Sequence, residues 1–132
     1  MTPEQKLKHL VLLKSVEFGA EALPAEVTAD NVDALYDERY ESDEGPLQDA
    51  RSEIRNSGEE TDGIDSPYSR YYESKAVARQ YLDGSWVGWT YWYGGGKHGQ
   101  PEAIDWMDEA YDLTCTEEQV TITKRTFTEV AA

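Results

Sequence analysis

Between Ser85 and Gly99 the chain reads SWVGWTYWYGGGKHG, and three of its four tryptophans (Trp86, Trp89, Trp92) fall there with Tyr91 and Tyr93. A run this rich in large rings has to be covered by other parts of the chain, because an exposed apolar strip of that size drives aggregation. Its β-branched and aromatic residues predict a strand over Ser85 to Tyr93. Alternation places Val87, Trp89, Tyr91 and Tyr93 on one face and Trp86, Gly88, Thr90 and Trp92 on the other. Rings on both faces predict a central strand, with helices over one side. Just upstream, Lys75 to Leu82 is followed by Asp83-Gly84, a pair that supplies the positive φ of a two-residue hairpin turn. Ala76, Ala78, Arg79 and Gln80 are good helix formers, so a helix over 74–82 is the competing reading, and strand is preferred.

The segments on either side supply the cover. Thr2-Pro3-Glu4-Gln5 is a helix opening, with Thr2 as cap, Pro3 at the first helical position and Gln5 closing a capping box. That helix should run to Phe18 and stop at Gly19. Leu7, Leu10, Val11 and Phe18 share one face, while Leu12, Leu13 and Val16 lie nearly opposite. A helix apolar on two sides is buried on two sides: it is sandwiched inside the domain, or it meets a second copy through Leu12, Leu13 and Val16 in a homodimer. Thr28 is expected to cap a second helix carrying Val32, Leu35, Tyr36 and Arg39 on one face. Pro46 opens a third, with a Leu47, Ala50 and Ile54 stripe and Gly58 as its stop.

Glu59 to Pro67 reads as an exposed polar connection. Beyond the aromatic run, a short helix is predicted over Pro101 to Ala110, with Ala103, Trp106, Met107 and Ala110 on one face. Two closing strands are predicted, one holding Tyr111, Leu113 and Cys115, the other Val120 and Ile122, with a bulge near Lys124-Arg125 ahead of Phe127. The expected fold is therefore α+β: about three N-terminal helices packed on a C-terminal antiparallel meander of about four strands. At 132 residues this is one domain. It divides into a helical half over 1–58, the connection 59–67 and a sheet half over 68–130.

Charge narrows the partners. The formal net charge is −15, and residues 1–66 hold 17 acids against 6 bases, whereas 67–132 hold 10 against 6. A field of this sign repels phosphate backbones and anionic membrane surfaces, so neither direct nucleic-acid binding nor membrane binding is expected. It favours a basic protein partner. The acidic face expected to receive one is Asp37, Glu38, Glu41, Asp43 and Glu44. An acidic mimic of nucleic acid is a further reading of the same surplus. No run of about 18 apolar residues exists to span a membrane, and the N-terminal residues lack a basic, apolar and small-residue leader pattern. The single cysteine cannot form an internal disulfide. A cytoplasmic location follows as the expectation.

Chemistry-bearing motifs are sparse. Gly94-Gly95-Gly96-Lys97 shares only its composition with a phosphate loop, since Tyr91 and His98 occupy the places that need a glycine and a hydroxyl. Two separated histidines and one cysteine match no zinc spacing, so neither a metal nor another cofactor is expected. Cys115, among inward-facing strand residues, reads as a buried structural thiol. No catalytic residue can be chosen among 27 acids without geometry. The leading expectation is a non-enzymatic protein–protein interaction or regulatory module that self-associates. The alternative is a small-molecule-binding or enzymatic site at the edge of 91–99, where Trp86, Trp92 and Tyr93 would hold a flat or peptide ligand beside Lys97 and His98.

Overall fold

A computed structural model describes residues 1–24, 26–42 and 45–131. The element order is α1 (Pro3–Glu17), α2 (Val32–Glu41), α3 (Gly45–Asn56), β1 (Glu59–Glu60), β2 (Glu73–Gln80), β3 (Trp86–Tyr93), a single 3-10 turn (Pro101–Ala103) and β4 (Tyr111–Leu113). The four strands form an antiparallel sheet in the order β1-β2-β3-β4. The fold is α+β, with the helices N-terminal and the sheet C-terminal.

α1 begins as its sequence dictates. The Thr2 hydroxyl accepts from Gln5 N–H, and the Gln5 side chain accepts from Thr2 N–H, so two otherwise orphaned donors are satisfied together. The two apolar sides of α1 are both used within the fold. Leu7, Val11 and Leu12 are fully buried and Leu10 nearly so. Leu12 therefore belongs to the core and cannot serve a dimer surface; Leu13 and Val16 are half-buried. Leu23, Val27 and Leu35, from α2 and the segment before it, pack on the same core and supply the second cover. Leu12 is covered within the chain, as the sandwiched reading expects, while Leu13 and Val16 keep part of their surface outside it.

α2 starts later than expected. Thr28 does not cap it; the Thr28 carbonyl accepts from Asn31 and Val32 N–H, making a turn that precedes the helix. Val32 and Tyr36 are buried, as their spacing requires. α3 buries Leu47, Ala50 and Ile54 in one stripe. The core joins all three helices to Val77, Val87, Trp89, Trp106 and Met107.

In the sheet, β2 is a strand and pairs with β3 from Glu73↔Tyr93 to Gln80↔Trp86. Their connection is one residue longer than a two-residue turn. Gly84 N–H bonds the Tyr81 carbonyl, Tyr81 N–H bonds the Ser85 carbonyl, and Gly84 takes φ +89°. This is a three-residue loop closed by a glycine bulge. β3 lies between β2 and β4, with Val87 and Trp89 fully buried under the helices.

Other expectations need correction as well. Glu59 and Glu60, read as part of the exposed connection, form a short edge strand against Ala78 and Val77. Their side chains stay exposed and charged, which guards an edge against further pairing. The helix expected over 101–110 shrinks to one 3-10 turn with Ala103 exposed. Downstream, Asp105 Oδ1 accepts from the N–H groups of Met107 and Asp108, a local turn that competes with helix. Finally, β4 stops at Leu113. Residues 114–131 form neither strand nor helix, no bulge forms at Lys124-Arg125, and Cys115 is exposed rather than buried.

Candidate functional site

The sheet's second face is the one the helices leave open. Register assigns it Ala76 and Ala78 on β2, Trp86, Gly88, Thr90 and Trp92 on β3, and Tyr111 and Leu113 on β4. Tyr111 and Leu113 press on Gly88, where an added Cβ would lie 2.5 Å from Tyr111 Cε2 and 2.8 Å from Leu113 Cδ1. That close approach, rather than any turn, explains a glycine in the middle of an aromatic strand. At the Trp86 end of this face runs a groove of about 330 Å³. Ala78 and Trp86 lie in it, Thr61 and Ile64 form one wall, and Leu113 and Cys115 form the other. Glu59 and Asp62 on its rim make no ion pair among the described residues.

Both walls are held in place. The Thr61 hydroxyl and N–H both bond the Ala76 carbonyl, each at 3.0 Å. On the opposite side, Lys6 Nζ reaches from α1 to Ser85 Oγ at 3.1 Å and to Asp112 Oδ1 at 3.0 Å. One lysine thus ties the hairpin loop and β4 to the helical layer. With Asp112 exposed, the ion pair itself contributes little, and its value lies in the register it imposes.

The residues singled out in the sequence are not brought together. Trp86 stands in the groove, half-buried. Trp92 is on the same face but six positions along β3, about 20 Å away, and its carbonyl accepts from Arg55. Tyr93 points to the opposite face, beside a shallow hollow formed with Tyr68 and Tyr72. Lys97 and His98 are exposed on the glycine loop and do not line the groove. Of the acidic face, Asp37, Glu38 and Glu41 are exposed on α2; Asp43 and Glu44 lie outside the described residues. The sequence reading missed Ile64, Leu113 and Cys115 as groove residues. Ile64 was the one signal to be had, as the single large apolar residue in EETDGIDSP.

His9 is the histidine with a perturbed environment. Its Nδ1 meets the Tyr81 hydroxyl at 2.5 Å, the two rings are edge-on at 5.7 Å, and burial lowers the imidazole pKa below 6.5. In the unfolded chain the ring protonates more readily than in the fold. Stability is therefore expected to fall as pH drops through 6.5, levelling once pH is below the folded-state value. His9→Gln should flatten that part of a urea-midpoint profile taken between about pH 7.5 and 5.5, the range over which a free histidine titrates. Asp33, whose carboxyl is held below 3.8 by Gln5 and Lys8, loses its contribution only at lower pH and does not blur this window.

Compared with protein-family models, curated proteins and solved structures, the chain matches none.

Proposed function

We propose that this protein is a non-enzymatic interaction module that self-associates, the C-terminal segment of one copy seating in the open-face groove of another. The observation that carries this reading is the state of residues 114–131. Within them Val120-Thr121-Ile122-Thr123 alternates apolar residues with threonine, a pattern suited to a strand, yet every described position of 114–131 is exposed. Val120 is 67% exposed, Ile122 82%, Phe127 87% and Val130 89%. Large side chains left in water at this density mark an interaction surface.

Charge and shape favour a second copy as the occupant. The groove presents Trp86, Leu113 and Ile64 with unpaired acids at its rim, and the segment presents Val120 and Ile122 followed by Lys124-Arg125. Apolar residues would enter the groove while the basic pair meets Glu59 and Asp62. An exposed lone thiol on its wall suits a reducing compartment such as the cytoplasm.

Cross-linking tests this directly, because Cys115 is the chain's only cysteine. Wild-type chain is mixed with a larger, tagged Cys115→Ser/Ile122→Cys chain and oxidised mildly. A mixed disulfide of the two chains, forming faster than with a Cys115→Ser/Glu38→Cys control, is the expected result. Light scattering at about 100 µM should give twice the 15.0 kDa chain mass, and Ile122→Asp should weaken the dimer about tenfold or more by placing a charge in an apolar contact. A strict monomer with no preferential mixed disulfide would refute the reading. So would an Ile122→Cys chain that closes its disulfide only within itself, since the segment would then cover its own groove.

A further inference from the structure

A second concave site lies on the helical side, and its chemistry is opposite to that of the whole molecule. Gln48, Arg51, Ser52 and Arg55 follow one another on α3 at the spacing of a single helical face, and with Glu102 and Trp106 they enclose a cleft of about 150 Å³. In a chain with 27 acids, arginines are expected to find carboxylates. Here they do not. The ion pairs among the described residues all use lysine, and Glu102 pairs with neither arginine although it lines the same cleft.

Arg55 is 8% exposed. Its guanidinium donates to the Trp92 carbonyl and to Asn56 Oδ1, and it lies over the Tyr91 ring at 4.4 Å. These contacts fix the fork without neutralising it. Arg51 lies beside the Tyr36 hydroxyl and faces Trp106, its guanidinium carbon 5.9 Å from the ring; its buried Nε has no acceptor, and neither has Trp106 Nε1. A buried donor without a partner costs about 1–3 kcal/mol; of the five unpartnered buried side-chain groups among the described residues, these two belong to residues that line this cleft.

We propose that this cleft is an oxyanion site for a compact phosphate or carboxylate group. Two arginines one helical turn apart, with Ser52 and Gln48 lining the same cleft, bring more donors than the acceptors around them use, and an oxyanion, which accepts several such bonds at once, is the ligand class that suits them. The overall negative field disfavours any anion at long range. Selectivity then rests on these local donors.

The test is titration calorimetry of the full chain with sodium phosphate alone, and separately with sodium acetate, ionic strength being held constant with sodium chloride. Saturable heat and a raised thermal midpoint are expected, and whichever anion gives them assigns the source as phosphate or carboxylate. Arg51→Gln should weaken binding about tenfold or more, the loss of one charge-assisted bond, while Glu102→Gln should strengthen it by removing a like charge. Ser52→Glu, which builds a carboxylate into the cleft, should abolish anion binding and raise the midpoint, so loss of folding is not confused with loss of the site. No saturation by either anion beyond the chloride control overturns the proposal. So does unchanged affinity in Arg51→Gln, or a Glu102→Gln chain that binds nothing and melts as early as Arg51→Gln, because Glu102 would then be the cleft's own anion.

Discussion

Trp89→Ala is expected to lower the stability of this protein by about 3–5 kcal/mol, the range for deleting a buried large aromatic. Against a typical total of about 5–15 kcal/mol this is a large share, and it should move the thermal midpoint down by roughly 10–20 °C. The reason is position. Trp89 is fully buried, its ring centroid lies 5.4 Å from that of Trp106, and it sits opposite Val77 in the register of β2 and β3. It joins the sheet to the segment after the glycine loop, so its removal opens a cavity that neither neighbour can fill without shifting. The indole N–H has no acceptor among the described residues. Trp89→Phe should therefore cost much less than alanine, about 1–2 kcal/mol, because the lost contacts are partly offset by removal of an unsatisfied donor. Trp86→Ala is the informative comparison. Trp86 is half-buried on the open face, and its loss should weaken self-association far more than stability. Urea unfolding of the three variants, paired with light scattering, separates the two roles. A Trp86→Ala loss equal to that of Trp89→Ala would make the open face part of the core.

The parts of the fold that could be read from the sequence are those whose signals are local. Thr2, Pro3 and Gln5 state the start of α1 within four residues, and Asp83-Gly84 states the hairpin. The parity of β3 follows from its own alternation. β1 was illegible because Glu59-Glu60 joins the sheet through its backbone alone, and two glutamates carry no strand preference. The segment 116–127 failed in the opposite way. Its strand preference is real, but strand formation needs a paired edge, and the sheet of one chain leaves this segment exposed throughout. The same limit applied to the groove. Trp86 could be named from its ring, but Ile64 and Leu113 become its neighbours only through pairings between distant strands. The arginine face of α3 has the spacing of a single stripe in the sequence, but its significance depends on carboxylates failing to pair with it, a property of the folded chain and not of the spacing.

Gly58→Ala is the second large effect, and it separates two accounts of the same residue. As a helix stop, Gly58 would be needed for a left-handed backbone, and alanine would cost about 1 kcal/mol. The residue has no positive φ, so that account does not describe it. It is instead the point where the chain leaving α3 passes beneath the sheet. An added Cβ would stand 2.7 Å from Val77 Cγ2, 2.8 Å from Val77 Cβ and 2.9 Å from Trp89 Cζ2. The Val77 Cβ is fixed to the β2 backbone and Trp89 is held by Trp106, so the strain cannot be relieved by turning one flexible side chain. Overpacking of this kind costs about 1–3 kcal/mol, and the upper end is expected even after the few tenths to 1 kcal/mol that alanine gains by restricting the unfolded chain. A double-mutant cycle identifies the cause. Val77→Ala alone should destabilise by about 2 kcal/mol through a cavity, yet combined with Gly58→Ala the total should fall short of the sum by about 1 kcal/mol, because the new methyl occupies space that the missing ones vacate. Strict additivity would place the cost in the backbone of the α3–β1 corner and not in its contact with the sheet. A rescue by Val77→Ala has to remain partial, since Trp89 Cζ2 still stands 2.9 Å from the new methyl and only its displacement, at the expense of the Trp89–Trp106 contact, would admit the methyl fully.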